Sequence, residues 1–306
     1  MKEQYELIII GGGPAGITAG IYAGRKKLDT LFLAKEFGGM MAGKSVTIEN
    51  YPGFEEISGS DLIRKFENQL KKQHLDVLRE DAAKLERKGN SFSISTETGK
   101  QFLSKAVIIS SGSEHRTLDV EGEKEFLGKG VAYCSTCDGP MFSRKTVAVV
   151  GGGNAGFESA LFLTSYASKV YVLEAGEKAL ADEVLQEKAL KTGKIEVIAN
   201  VLVQRIKGEK FVKSLEYQDK KTKENKVLEL SGIFLEIGWR PASSLIKGLA
   251  DLNEKGEIVI DSKNRTSLPG LFAAGDVSSV PYKQIVVAAG EGAKAALSAY
   301  EYLQQN

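Results

Sequence analysis

The chain has 306 residues and a formal net charge of +1, with 42% hydrophobic and 26% charged residues. That length predicts about two domains, each large enough for its own core. The nearly neutral charge argues against nucleic-acid and anionic-membrane partners, because both favour a strongly basic face. The first apolar run, at residues 7–10, is too short for a secretory or membrane segment, so we expect a cytoplasmic protein.

The chain opens with a strand, a glycine-rich turn and a helix. Gly11, Gly13 and Gly16 have the GxGxxG spacing, in which the first glycine permits the turn, the second lets the backbone approach a pyrophosphate, and the third lets helix pack on strand. The segment therefore predicts a dinucleotide site. The elements predicted in this part are strands at 7–10, 30–34, 91–95 and 106–112 and helices over about 14–26 and 59–73.

The only two cysteines, Cys134 and Cys137, are three residues apart. In a reducing compartment such a pair is more often catalytic than structural. A structural zinc site needs two more ligands, and His74 and His115 are distant in sequence, so no metal is expected. The spacing favours a redox dithiol, with incidental thiols as the alternative.

The second part of the chain repeats the plan of the first. Gly151, Gly153 and Gly156 form another GxGxxG turn, which predicts a second dinucleotide site. Two nucleotide sites and one dithiol indicate an electron relay from a nicotinamide through a flavin to a disulfide. The elements predicted here are a strand at 146–150, a helix over 154–167, a strand at 169–174, a charged hairpin around 220–225 and an apolar run at 232–238.

The last part of the chain returns to the first domain. The segment at 268–276 resembles the end of that domain, and a final helix is predicted over about 284–303. Small residues near its start, such as Gly290 and Gly292, permit either close approach to a cofactor or tight helix packing. The expected fold class is α/β, with two Rossmann-like three-layer nucleotide-binding domains, the second inserted into the first.

At these residues the chain resembles the low-molecular-weight thioredoxin reductases and, equally, the reductase portion of the flavin-containing alkyl hydroperoxide reductase subunits. The resemblance implies an FAD-binding domain over 1–113 and 243–306, an NAD(P)H-binding domain over 114–242, and a homodimer. The matching segments follow the family's order: the two glycine turns, 37–39 (FGG), 49–53 (ENYPG), 134–139 (CSTCDG) and 274–277 (AGDV).

The resemblance also implies which residues bind the two cofactors. FAD pyrophosphate is expected at the first glycine turn, helped by the positive end of the helix that follows. Plainer alternatives stay open: Gly38 and Gly39 could form an ordinary loop, Asn50 could be a turn residue, and Asp276 could be a helix cap. Met40 stands where the family often has glutamine. The FAD positions are Gly11, Gly13, Pro14, Ala15, Gly16, Gly38, Gly39, Met40, Asn50, Gly112, Gly275, Asp276, Gln284 and Ile285; those for the nicotinamide dinucleotide are Gly151, Gly153, Asn154, Gly156 and Glu174.

The resemblance assigns different roles to the two cysteines. Cys137 is expected to face the flavin, and Cys134 to attack the disulfide of a partner protein as a thiolate. Asp138 is expected as the general acid that protonates the thiolate leaving the flavin, and a role as a turn or cap residue stays open. The family rotates its domains between two states, which we carry over as a hypothesis.

The choice of electron donor departs from the NADPH-dependent enzymes. Those enzymes carry an arginine cluster just after the strand that corresponds to 169–174 here, whereas this chain has Glu174 there and no arginine nearby. An acid at about this distance from the turn accepts hydrogen bonds from a ribose hydroxyl and repels a 2′-phosphate. NADH is therefore favoured over NADPH, and a solvated strand-end charge is the alternative for Glu174.

The alkyl hydroperoxide reductase subunits carry an extra N-terminal thioredoxin-like domain that this sequence lacks. We therefore expect the dithiol to act on a separate thioredoxin or glutaredoxin-like protein. Two other hypotheses stay open: a disulfide reductase of the same fold that is fed by ferredoxin or another donor, and a dithiol redox sensor without turnover.

Overall fold

In the computed structural model of the protein, residues 2–39 and 47–306 are described, and Met40 lies outside them. These residues form two compact units, Met1–Glu114 with Arg240–Asn306, and His115–Trp239. One unit therefore interrupts the other along the chain, at 114/115 and 239/240. The boundaries expected from the sequence are 113/114 and 242/243.

The helices and strands are numbered in chain order. The strands are β1 Gln4–Ile10, β2 Thr30–Leu33, β3 Thr47–Ile48, β4 Ile57–Ser58, β5 Asp76–Leu78, β6 Ala82–Lys88, β7 Ser91–Thr96, β8 Gln101–Ile109, β9 Ser113–His115, β10 Val131–Ala132, β11 Thr146–Val150, β12 Lys169–Leu173, β13 Ile195–Ile198, β14 Val201–Gly208, β15 Val212–Asp219, β16 Asn225–Glu229, β17 Gly232–Leu235, β18 Trp239–Pro241 and β19 Leu271–Ala273. The helices are α1 Pro14–Arg25, α2 Gly59–Lys71, α3 Ser135–Asp138, α4 Asn154–Leu163, α5 Glu183–Lys191 and α6 Ile285–Gln305, and 3-10 helices cover Gly139–Phe142 and Ser244–Ile246.

The first unit is built on a sheet with the order β5-β2-β1-β8-β7-β6, in which β19 also pairs with β8. Its strands β1, β2, β5, β8 and β19 pair in parallel, and β6 and β7 extend it antiparallel. In β1, Leu7 and Ile9 pack with helices α1, α2 and α6, whereas Ile8 and Ile10 pack on the opposite face with β6 and β7. The strand is apolar throughout because both faces of the sheet are covered.

The second unit has the same layering. A parallel sheet of order β10-β17-β11-β12-β13 lies between helices and a three-stranded antiparallel sheet, β14-β15-β16. Val147 and Val149 of β11 pack with α4 and α5, and Ala148 and Val150 pack with the antiparallel strands. The prediction of an α/β fold with two Rossmann-like three-layer units is confirmed.

The structure also shows where the predicted helices and strands end. Helix α4 ends at Leu163 rather than at residue 167, because Thr164 donates its hydroxyl to the Leu161 carbonyl at 2.6 Å and begins a turn. Such local bonds compete with the helix. Strand β8 ends at Ile109, and the small-residue turn predicted at the end of the 106–112 run follows it; there the Ser110 hydroxyl donates to the Ile10 carbonyl at 2.8 Å.

At Gly292, the small residue near the start of the last helix serves helix packing. A β-carbon there would overlap the carbonyl oxygen of Ala15, so this glycine permits α6 to pack closely on α1. In the described part of the chain, no helix is both long enough and apolar enough to cross a bilayer.

Candidate active site

The first glycine turn joins β1 to α1. A β-carbon at Gly11 would overlap the Ser110 carbonyl, and one at Gly16 would overlap the Gly11 carbonyl, so both positions exclude larger residues. The β-carbon position of Gly13, in contrast, has no atom within 4 Å, and no side chain caps α1 there. An open glycine beside uncapped helical N–H groups is the arrangement that binds a pyrophosphate.

This turn opens onto a cavity of about 670 Å³ in the first unit. Cofactor pockets span about 300–1,000 Å³. Gly16 lies behind the cavity wall, and Asn50 lies next to it, donating its amide to Gln284 Oε1 at 3.3 Å. Segments far apart in sequence thus meet around one space. The predicted FAD-site residues that line it are Gly11, Gly13, Pro14, Ala15, Gly38, Gly39, Gly112, Gly275, Asp276, Gln284 and Ile285.

Asp276 is the partly buried carboxylic acid at this cavity. Burial raises the pKa of the Asp276 carboxyl above its ordinary value, and the Lys283 ammonium acts in the opposite direction. Lys283 is held by Glu257 at 2.8 Å and donates to the Ser278 carbonyl at 2.6 Å. Neither Lys283 nor Glu257 stands out in the sequence, since only folding brings them together.

A second cavity, of about 550 Å³, lies elsewhere in the first unit, between residues 259–272 and Tyr302. Within the described residues, its lining contains no predicted cofactor residue and neither glycine turn. The cavity at the first glycine turn is therefore the candidate cofactor site in this unit.

The second glycine turn, between β11 and α4, repeats the first. A β-carbon at Gly151 would overlap the Glu236 carbonyl, and one at Gly156 would overlap the Gly151 carbonyl. Gly153 has no atom within 4 Å of its β-carbon position, and no side chain caps α4. Each unit therefore has the open glycine and uncapped helix start that suit a dinucleotide.

Glu174 lies directly after β12, against this second turn. Its Oε2 accepts the Gly152 N–H at 2.8 Å, its Oε1 accepts the Gly176 N–H at 2.6 Å, and the residue is only 9% exposed. Glu174 is thus a fixed carboxylate and not a solvated strand-end charge. The matching position after β2 in the first unit is Ala34, so the acid distinguishes the two nucleotide turns.

Asn154 has a partner within the protein. Its Nδ2 donates to Asp182 Oδ2 at 2.9 Å, and its Oδ1 accepts the Asp182 N–H at 2.8 Å. The N–H groups of Leu180 and Ala181 also donate to the Gly152 carbonyl, at 2.8 and 3.0 Å. Asn154 therefore helps hold the 175–182 loop on the glycine turn.

Cys134 and Cys137 form a disulfide at the start of α3, with their Cα atoms 5.3 Å apart. Cys134 Sγ accepts the Cys137 N–H at 3.2 Å, and the Thr136 hydroxyl lies 3.3 Å from the same sulfur. Asp138, half-buried, donates its own N–H to the Cys134 carbonyl at 3.1 Å. The two cysteines are therefore paired, as the redox interpretation of their spacing requires, and two hydrogen-bond donors lie beside Cys134 Sγ.

The residue before the disulfide, Tyr133, was not singled out by the sequence. Its ring stacks on His115 with centroids 4.3 Å apart, and its hydroxyl donates to Glu123 at 3.3 Å. Glu123 is 2% exposed and also accepts the N–H groups of Leu118 and Asp119. No local pattern could have revealed this support for the dithiol segment. In the described part of the chain, no group of three or more His, Cys, Asp or Glu is placed to hold a metal.

Comparisons with known proteins agree with this site. The sequence pattern of the pyridine nucleotide-disulphide oxidoreductases matches residues 5–292. The alkyl hydroperoxide reductase F subunit of Pseudomonas aeruginosa is 41% identical over 99% of this chain, and an NADH dehydrogenase of Bacillus subtilis is 41% identical over all of it. The chain spans 59% and 60% of the length of these two relatives.

Solved structures resemble the chain over its whole length. Thioredoxin reductase of Lactococcus lactis, in its FR conformation, is 36% identical with a TM-score of 0.83, covering 99% of this chain and 100% of its own. Thioredoxin reductase of T. acidophilum is 36% identical with a TM-score of 0.78, covering 98% and 99%. The family implies a flavin, a pyridine nucleotide and a redox-active disulfide. The chain belongs to the pyridine nucleotide-disulphide oxidoreductase family.

Proposed function

We propose that the chain is an FAD-dependent thioredoxin-disulfide reductase, which passes electrons from NADH, in preference to NADPH, to a thioredoxin or glutaredoxin-like protein through Cys134 and Cys137. The observation that carries this proposal is the presence in one chain of two open glycine turns and a disulfide between cysteines three residues apart. The full-length similarity to thioredoxin reductases supports the class of protein substrate.

The first unit has the features that FAD requires. Gly13 and the uncapped start of α1 suit the pyrophosphate, and the cavity beside them continues to Asp276 and Gln284. In this proposal Asp276 hydrogen-bonds the ribityl chain, and Gln284 and Ile285 lie by the flavin ring. Asn50 orients Gln284 through their amide–amide hydrogen bond.

The second unit has the features that a nicotinamide dinucleotide requires. Gly153 leaves room for the pyrophosphate, and Glu174 is fixed beside the turn with lone pairs left to accept ribose hydroxyls. A phosphate on that ribose would meet the carboxylate charge, which favours NADH. The name of the Bacillus subtilis relative, NADH dehydrogenase, is consistent with this preference.

A bound flavin supplies the exchange of an electron pair between a nicotinamide and a disulfide. Once Cys134 and Cys137 are reduced, the Cys134 thiolate attacks the partner's disulfide, forming a mixed disulfide and releasing one partner thiolate. The Cys137 thiolate then attacks Cys134 Sγ, which releases the second partner thiolate and restores the Cys134–Cys137 disulfide. The Cys137 N–H and the Thr136 hydroxyl stabilise the Cys134 thiolate as hydrogen-bond donors.

Asp138 is proposed as the acid that protonates a departing thiolate. It directly follows Cys137, and its N–H anchors it to the Cys134 carbonyl. We expect Asp138→Asn to slow reoxidation of the reduced flavin by the disulfide more than reduction of the flavin by NADH. Equal slowing of both half-reactions would instead assign Asp138 a structural role.

Trapping tests the proposed order of the two cysteines. Reduced Cys137→Ser protein, mixed with an oxidised thioredoxin, should accumulate a mixed disulfide through Cys134, seen by non-reducing mass spectrometry. Cys134→Ser is the matched control and should trap none. A mixed disulfide through Cys137 alone would exchange the roles of the two sulfurs.

A donor comparison tests the rest of the proposal. Under anaerobic conditions NADH should bleach the flavin absorbance faster than NADPH or reduced ferredoxin, and turnover of a thioredoxin disulfide should follow. A ferredoxin-flavin thioredoxin reductase of Clostridium acetobutylicum is 30% identical with a TM-score of 0.56, so bleaching by ferredoxin alone would identify that second candidate function. Protein that binds no FAD, or that reduces no thioredoxin-like disulfide, contradicts the proposal.

We also propose a homodimer, on the family resemblance. Light scattering of the purified protein measures its mass directly, and a monomer at micromolar concentration contradicts this part.

A further inference from the structure

Within the second unit, a chain of hydrogen bonds runs from the dithiol loop to the residue that follows β17. The Ser135 hydroxyl, between the two cysteines in sequence, donates to the Ser159 hydroxyl oxygen at 3.0 Å. The Ser159 hydroxyl donates in turn to Glu236 Oε1 at 2.5 Å. Ser135 and Ser159 are each only 7% exposed, so water does not replace these bonds easily.

The chemistry of the groups fixes the direction of this chain. A hydroxyl has one hydrogen to donate, so Ser159, which donates it to Glu236 Oε1, accepts from Ser135. The order Ser135, Ser159, Glu236 is therefore the arrangement in which both hydroxyls are used as donors.

Glu236 is also in contact with the second nucleotide turn. It directly follows β17, its N–H donates to the Val150 carbonyl at 2.8 Å, and its carbonyl oxygen fills the space that a β-carbon on Gly151 would need. Ser159 lies on α4, the helix that begins at the same turn. One buried connection thus joins the nucleotide turn to the middle of the C-x-x-C loop.

We propose that Ser159 and Glu236 are positioning residues for the redox pair: through Ser135 they hold the Cys134–Cys137 loop in the geometry that favours the disulfide. This inference deepens the proposed function and rests on it. Neither residue reacts; they act through Ser135. The two thiols then stay close to one another when the covalent link between them is open.

The hydrogen bonds of Ser135, Ser159 and Glu236 are observed in the disulfide form, and this decides in which direction their loss shifts the dithiol–disulfide equilibrium. If the bonds exist only there, their loss destabilises the disulfide. If they persist in the dithiol, their loss frees the open loop and lowers the effective concentration of one thiol near the other. Both cases shift the equilibrium toward the dithiol.

The test is a redox titration of the FAD-bound protein. Wild type, Ser159→Ala and Ser135→Ala are equilibrated without oxygen in dithiothreitol buffers of defined ratio, quenched in acid, alkylated and counted by mass. We expect Ser159→Ala to change the dithiol–disulfide equilibrium constant about three- to tenfold toward the dithiol, the usual effect of one or two hydrogen bonds. A tenfold change corresponds to about 30 mV for this two-electron couple.

Glu158→Gln is the matched control, because Glu158 precedes Ser159 on α4 but is exposed. It should titrate like wild type, whereas Glu236→Gln, which keeps an acceptor without its charge, should shift less than Ser159→Ala. Constants for Ser159→Ala and Ser135→Ala within twofold of wild type, or a shift toward the disulfide, overturn the inference. If Ser159→Ala does not fold, Ser135→Ala decides alone.

The titration uses neither a thioredoxin nor a pyridine nucleotide. Failure of the inference can therefore be distinguished from failure of the proposed function. If the wild type fails to reduce thioredoxin while Ser159→Ala still shifts the dithiol–disulfide equilibrium, the proposed function is refuted and the positioning role is kept.

Discussion

The Glu174 carboxylate accepts the Gly152 N–H at 2.8 Å, which joins the end of β12 to the middle of the second glycine turn. A β-carbon at Gly152 would overlap that carboxylate, so Glu174 in this position requires glycine at 152. The second oxygen of Glu174 is held by Gly176 at 2.6 Å. The negative charge therefore has a fixed place beside the expected ribose.

Replacing Glu174 should change the choice between the two nicotinamide dinucleotides. We expect Glu174→Arg to raise the ratio of kcat/KM for NADPH to that for NADH by at least about tenfold. The substitution replaces a carboxylate, which repels the 2′-phosphate of NADPH, by a guanidinium, which attracts it. Steady-state kinetics with both donors measure the ratio, which cancels general damage to the turn. Glu177→Arg, an exposed change in the same loop, is the control, and an unchanged ratio in Glu174→Arg would remove Glu174 from cofactor choice.

Substitution of the two open glycines should affect the two cofactors one at a time. Gly13→Ala and Gly153→Ala should fold normally, because neither β-carbon position has an atom within 4 Å and both φ angles, −77° and −85°, suit alanine. The new methyl group would stand where a pyrophosphate approaches.

We therefore expect Gly13→Ala to lose FAD during purification, and Gly153→Ala to keep FAD but bind NADH about tenfold or more weakly. The flavin absorbance of the purified protein measures the FAD content, and calorimetric titration measures the affinity for NADH. Gly16→Ala, whose β-carbon would overlap the Gly11 carbonyl, is the contrasting variant and should fail to fold. Normal NADH affinity in Gly153→Ala would refute the assignment of the second turn.

Thr136 should make Cys134 a better nucleophile. Its hydroxyl lies 3.3 Å from Cys134 Sγ and can donate to the thiolate after reduction. In a Cys137→Ser background, Thr136→Val should slow alkylation of Cys134 by iodoacetamide near neutral pH, by about two- to fivefold. Thr136→Ser keeps the hydroxyl and should react like the parent; equal slowing in both variants would point to packing instead.

Asp276 should make the FAD-free protein less stable at neutral pH. Its folded-state pKa is raised above the ordinary 3.8, so the folded chain binds this proton more tightly than the unfolded chain does. The resulting stabilisation is present below the unfolded pKa and is lost as the pH rises through the folded pKa.

Asp276→Asn should therefore raise the melting temperature of FAD-free protein at about pH 7, and the difference should shrink toward about pH 4. The same variant should weaken FAD binding. Asp251→Asn, an exposed change in the same unit, is the control. A melting temperature lower than that of wild type at about pH 7 would contradict a desolvation cost at Asp276.

The sequence predicted the features that depend on neighbouring residues. Both glycine turns, the strands before them and the helices after them were predictable because a tight turn and a close helix–strand contact demand glycine at fixed offsets, as Gly11 and Gly16 show. The Cys134–Cys137 pair was predictable because three residues of separation allow a disulfide. The end of α4 was missed, since the Thr164 hydroxyl competes with the helix in a way that periodicity does not reveal.

Only the tertiary structure decided which distant side chains meet. Glu174 was recognised from its offset, but its bonds to Gly152 and Gly176 depend on how β12 packs beside the turn. The bond between Ser159 and Glu236 joins α4 to the residue after β17, and no local pattern contains both. Side-chain partners of this kind are set by the packing of separate elements, and that packing exists only once the whole chain has folded.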